Sequence, residues 1–161
     1  MARMLICYYS RTKHTQHMAE AVAEGAQQVA GMEVEIKDIK EIDPRSLVDY
    51  DAIIMGSPTY YGTMSAECKR LLDDSVAVHG RLEGKVGGAF SSSGNIGGGS
   101  ETTILDLLKA MLIHGMVVLG SPQGDHYGPT AVGDADQRSL DSCRRMGKKW
   151  AELSIRLHVE S

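Results

Sequence analysis

Four short apolar runs, separated by segments of helical spacing, constrain this chain more than any other feature. Residues 4–9 (MLICYY), 52–56 (AIIMG), 86–91 (VGGAFS) and 116–119 (MVVL) are continuous rather than alternating, as expected of strands buried on both faces. Residues 32–38 (MEVEIKD) alternate apolar and charged side chains, which reads as a half-buried strand near a sheet edge. Between the strands, Met18, Val22, Gly25, Ala26 and Val29 fall on one helical face. Met64, Cys68, Leu71 and Leu72 do the same for a helix from about Ser65. Ile104, Leu107, Leu108, Met111 and Leu112 fit a third helix, capped by Ser100 and stopped at Gly115. The fourth starts at a capping-box-like Asp134 and Gln137 and turns Leu140, Cys143, Met146, Trp150, Leu153 and Leu157 inward. Arg45 to Tyr50 reads as a short helical turn. Five strands alternating with four helices over short connections imply an α/β fold, a parallel sheet covered on both sides. No repeat or linker divides the sequence, so residues 1–161 are expected to form one domain.

Charge and cysteine usage remove several classes of function. Lys and Arg number 17 against 21 Asp and Glu, a net charge of −4, so no basic face exists for nucleic acid. Cys7, Cys68 and Cys143 are widely spaced and join no Cys/His ligand pair, which leaves neither a disulfide framework nor a metal site. Free thiols fit a reducing compartment. No secretory leader is recognisable, and no apolar run reaches the roughly 18 residues of a membrane span. The expectation is a cytoplasmic protein with no membrane span.

In open parallel sheets, ligands bind beyond the carboxyl ends of the strands. The loop after the first strand, Ser10-Arg11-Thr12-Lys13-His14-Thr15, sets three hydroxyls at S-x-T-x-x-T against a helix N-terminus. Hydroxyls, amides and the helix dipole together suit a phosphate dianion, although hydroxyls in such places also serve simply as caps. The loop matches neither the nucleotide P-loop nor the dinucleotide glycine fingerprint. The loop after residues 52–56, Ser57-Pro58-Thr59-Tyr60-Tyr61-Gly62, spends two of only eight aromatic residues. It reads either as a Pro-initiated turn with a surface Tyr or as a platform for a planar ligand. The next loop, Ser91-Ser92-Ser93-Gly94-Asn95-Ile96-Gly97-Gly98-Gly99-Ser100-Glu101, reads either as a flexible connection or as backbone that a ligand can approach closely. All three lie at one end of one sheet.

These segments resemble the flavodoxin-like FMN proteins, and most of all the WrbA-type (tryptophan-repressor-binding-protein type) NAD(P)H:quinone oxidoreductases. YYSRTKHT (residues 8–15) is similar to the flavodoxin phosphate loop, and DYDAIIMGSPTYYGTMS (49–65) to the second flavin loop. GKVGGAFSSSGNIGGGSETTILDLLKAMLIHGMVVLG (84–120) is similar to the quinone-reductase branch in its triple Gly and its His-Gly-Met. The resemblance runs nearly end to end. It implies a three-layer α/β/α sandwich with a five-stranded parallel sheet ordered 2-1-3-4-5. It further implies that Ser10, Arg11, Thr12, Lys13, His14 and Thr15 hold the FMN phosphate. Pro58, Thr59, Tyr60 and Tyr61 would then line the ring, with Ser92, Ser93, Gly94, Asn95 and Gly97 at its pyrimidine edge and ribityl chain. His114 matches a family His near the flavin; by residue reasoning alone it is a cation at a helix C-terminus. His126 and Tyr127 are looser candidates.

The departures from the family pattern bear on function. Carrier flavodoxins commonly sandwich the flavin between Trp in the second loop and Tyr in the third. Here the second carries Tyr and the third no aromatic, which leaves one ring face open. Lys13 stands where flavodoxins often carry Gly. The segment that brings an aromatic to the substrate site in longer relatives is missing. The resemblance thus implies hydride transfer through FMN from NADH or NADPH to a quinone-like acceptor, with no catalytic side chain required. A one-electron carrier docking to a redox protein is the alternative. A receiver-like regulatory module would want acidic residues where Tyr9-Ser10 and Gly56-Ser57 stand. Relatives of this kind often associate, which implies a homodimer or homotetramer whose neighbouring subunits complete the site.

Overall fold

The computed structural model describes residues 1–159, with Val159 as backbone only. The elements are β1 (Ala2–Tyr8), α1 (His14–Ala26), β2 (Met32–Asp38), β3 (Ala52–Pro58), α2 (Ala66–Asp74), β4 (Val86–Ser93), α3 (Ser100–Ile113), β5 (Val117–Val118), β6 (Thr130–Val132) and α4 (Gln137–Val159). Short 3-10 segments cover Ile39–Glu41, Pro44–Asp49 and Ser75–Val78. Every strand pairing is parallel, and the order is β2-β1-β3-β4-β5.

The continuous apolar runs have a simple cause. Successive strand residues point to opposite faces, and here both faces are cores. Met4, Ile6, Ile54 and Phe90 pack with Met18, Val22, Met146 and Trp150 of α1 and α4. Leu5, Cys7, Ile53, Met55 and Ala89 pack with Cys68, Leu71, Leu107 and Met111 of α2 and α3. Each fully buried aliphatic, Met or Phe side chain contributes about 1.5–3 kcal/mol. β2 lies at the edge, as its alternation implies.

Three expectations need correction. The sheet has six strands, because β5 holds only two residues and β6 adds three more. Val117 and Val118 pair with Val86 and Gly87, while Thr130, Ala131 and Val132 pair with Ser91, Ser92 and Ser93. Both strands therefore occupy the side of β4 away from β3, end to end, with an excursion between them. The second correction concerns α4, where the cap is Asp136, whose Oδ1 accepts from Ser139 N at 2.9 Å. Asp134 turns instead to His17 Nδ1, 2.9 Å away. The third concerns α3: Ser100 is the first residue of the helix rather than its cap, and Gly99 precedes it at φ 108° with no side-chain hydrogen bond.

Candidate functional site

The loops after β1, β3 and β4 converge at the carboxyl edge of the sheet, and each is shaped locally. Lys13 adopts φ 70°, the left-handed region, and caps α1 with no side-chain hydrogen bond. Ser10 Oγ accepts weakly from Gln16 N at 3.4 Å. The helix N-terminus thus opens onto the exposed residues Arg11, Thr12 and Lys13, with Ser10 and His14 half-buried. Thr15 is buried, and its Oγ1 lies 3.1 Å from Ser92 Oγ, which joins the first loop to β4.

The second loop is a tight turn. Tyr60 and Thr63 exchange backbone hydrogen bonds of 2.9 and 3.2 Å, while Tyr61 and Gly62 between them take φ of 50° and 82°. Two consecutive left-handed residues make a type I′ turn. Tyr61 is thereby held wholly in solvent, at 109% relative exposure. Tyr60 lies back against Tyr9, ring centroids 6.5 Å apart, with the Arg11 guanidinium 5.4 Å from its centroid. Burial raises the Tyr60 hydroxyl above its ordinary pKa, and Arg11 opposes this. Thr59 N donates to Ser92 O at 2.7 Å, and Thr59 Oγ1 sits 2.9 Å from Ser91 Oγ. Pro58 ends β3 beside them.

The third loop is exposed over Gly94, Asn95, Ile96, Gly97 and Gly98, above the buried Ser92 and Ser93. Ser93 Oγ donates to Asn95 O at 3.0 Å. A Cβ on Gly98 would stand 2.8 Å from that same carbonyl, so the loop's curl requires glycine. The excursion between β5 and β6 lies alongside. Asp125 accepts from Thr130 N at 3.0 Å and from Arg138 at 3.1 Å, and Glu101, His126 and Tyr127 border a small hollow there. Tyr127 at the rim of that hollow is half-exposed.

The structure brings together Ser10, Arg11, Thr12, Lys13, His14, Thr15, Pro58, Thr59, Tyr60, Tyr61, Ser92, Ser93, Gly94, Asn95 and Gly97. It does not bring His114 to them within the chain. α3 starts at this edge and runs back along the sheet for 14 residues, about 20 Å at 1.5 Å per residue. His114 ends it in a groove between α2 and α3, beside His79 and Ser75. Ser75 Oγ donates to Leu72 O at 2.6 Å, so at 2.7 Å it accepts the Nε2–H of His114. Burial, and then His79, lower the His114 pKa, so the ring is neutral rather than a helix-end cation.

Two features escaped the sequence reading: Thr63 with Asp106, and Thr102 with Gly62. The three thiols are buried and unpaired. Burial raises the pKa of all three, that of Cys143 to about 12. Thiolate chemistry is therefore suppressed. No helix among the described residues is long and apolar enough to cross a membrane.

The donor set fits FMN. A phosphate dianion would meet α1 amides, the Ser10 and Thr12 hydroxyls and two exposed cations. A planar ring would meet Tyr61 on one face and the glycine-rich backbone at its edge. The comparisons agree. The family profile of NADPH-dependent FMN reductase matches residues 45–124. An NAD(P)H dehydrogenase (quinone) from Archaeoglobus fulgidus is 34% identical over 191 aligned positions, spanning 98% of this chain and 100% of the relative. A WrbA-like flavodoxin from Agrobacterium tumefaciens superposes with a TM-score of 0.83 at 27% identity, over 97% of this chain and 99% of that one. An archaeal flavodoxin shares the fold at a TM-score of 0.78 and 24% identity, over 95% and 99% of the two chains. With this sheet order, and with identity to a quinone reductase running over nearly the whole of both chains, the chain belongs to the WrbA-type flavodoxin-like FMN proteins.

Proposed function

We infer that the protein is an FMN-dependent NAD(P)H oxidoreductase that reduces quinones or similar two-electron acceptors. When bound, FMN carries hydride from NADH or NADPH to the acceptor. The chain's own part is binding and orientation. Ser10, Thr12, Thr15 and the α1 amides hold the phosphate, while Arg11, Lys13 and His14 offset its charge. Pro58, Thr59, Tyr60 and Tyr61 place the ring, and the backbone of Ser92, Ser93, Gly94, Asn95 and Gly97 meets its polar edge.

One observation favours the enzyme over a carrier: the cleft is asymmetric. Its second loop presents two tyrosines, and its third loop presents only Asn95 and Ile96 among exposed glycines. A planar nicotinamide or quinone can therefore stack on the uncovered face. The test is an anaerobic assay of FMN-loaded protein with NADH or NADPH and a benzoquinone. Turnover is expected with at least one donor, and dithionite titration should pass without accumulating a one-electron stage. A carrier would leave the nicotinamide unoxidised and accumulate that stage.

The cytoplasm, where nicotinamide donors are abundant and the three thiols stay reduced, is the fitting compartment. Association as a homodimer or homotetramer is supported by exposed Val76 and Ile113 lining the α2–α3 groove. His114 in that groove could then meet only a neighbouring copy's flavin.

A further inference from the structure

The turn that carries Tyr61 is fastened to α3 by threonine hydroxyls on both elements. Thr102 Oγ1 donates to Gly62 O at 2.6 Å. Thr63 Oγ1 donates to Asp106 Oδ2 at 2.6 Å. Thr103 Oγ1 lies 3.2 Å from Thr59 Oγ1. The surfaces also interlock, since a Cβ on Gly99 would stand 2.9 Å from the Gly62 α-carbon. Asp106 is itself anchored, with Lys109 Nζ 2.8 Å from Oδ1. Lys109 first, and then Thr63, hold its carboxyl below the usual carboxylate range.

Tyr61 does nothing to hold this geometry. Its φ of 50° is unfavourable for a bulky side chain, and its wholly exposed ring packs against nothing in the chain. Such a conformation persists only where the surroundings determine it. Of the fastenings, Thr63 to Asp106 is the charge-assisted one and the strongest in kind. It spans 43 positions of sequence.

We propose that Asp106 is a positioning residue: through Thr63 it latches the Tyr61 turn onto α3, so that Tyr61 meets the flavin ring already in place. The proposal rests on the cleft being the FMN site. A latched turn loses little freedom on binding, so the benefit appears as cofactor affinity. Asp106 touches no cofactor and acts only through the turn.

Two measurements on the full chain test this: amide hydrogen exchange without FMN, and FMN dissociation constants by fluorescence titration. In Asp106→Ala the Tyr60 and Thr63 amides, which pair with each other, should exchange about tenfold faster while β1, β3 and β4 keep their rates. FMN should bind about tenfold more weakly. Asp106→Asn keeps an acceptor for Thr63 and should recover most of both. The double variant Asp106→Ala with Tyr61→Ala should bind FMN no more weakly than Tyr61→Ala alone, because both act through one turn. Additive losses would overturn the latch, as would unchanged exchange at Tyr60 and Thr63. A wild-type chain that takes up no FMN would overturn the flavin reading instead, and the exchange measurement would still report whether Asp106 holds the turn.

Discussion

Lys13 shows how one residue can serve two demands that pull apart. At φ 70° it carries the cost of a left-handed L-residue, about 1–2 kcal/mol, while its exposed side chain stands at the start of α1, where the proposed function puts the phosphate. Lys13→Gly should remove that cost, less the added freedom of the unfolded chain. A net stabilisation of about 0.5–1 kcal/mol is expected in denaturant titration. The same variant should bind FMN more weakly, by no more than about fivefold, because an exposed charge contributes little. His114 gives a pH signature. Its pKa in the folded chain is lowered, so the unfolded chain takes up this proton first as pH falls below the ordinary His range, and stability drops with it. The melting temperature should fall from pH 7.5 to 5.5 more steeply in the wild type than in His114→Gln, which can still donate to Ser75. Equal slopes would mean the ring charges freely in the fold.

Elements meet most closely where glycine permits it. A Cβ on Gly147 of α4 would stand 2.0 Å from Val22 O of α1, and one on Gly25 would stand 1.9 Å from Arg144 O. Backbone rather than side chain is the obstacle, so α1 and α4 would have to separate. Gly147→Ala should cost at least about 3 kcal/mol, the upper end of overpacking, read as a shifted midpoint in urea unfolding. Gly94→Ala, in open space at the exposed third loop, should be nearly neutral. The elements themselves were legible in the sequence, because strands with two cores read as unbroken apolar runs and the helices keep their period. β6 was not, since three residues in a Gly- and Pro-rich stretch carry no period. Their strand state comes from hydrogen bonds offered by Ser91, Ser92 and Ser93. The Thr63–Asp106 pair was illegible for a different reason, as a side-chain contact 43 residues apart leaves no local pattern.

Over the whole molecule, the residues expected at the cleft gather at one edge because parallel strands bring all their following loops to one end. His114 missed that edge because a helix returning along the sheet carries its last residue to the opposite one. The excursion between β5 and β6 then has a consequence for how such a protein can diversify. Its two ends are tied to β4 at Val86–Gly87 and at Ser91–Ser93, so the residues between them form a closed loop, anchored at its ends by buried Ser121, Gly128 and Pro129 and largely exposed over 122–127. Lengthening a closed loop costs only about 0.6 kcal/mol per doubling. The segment holding His126 and Tyr127 can therefore be exchanged like a cassette, retuning what lies beside the third loop while the sheet, the tyrosine turn and α1 stay unaltered.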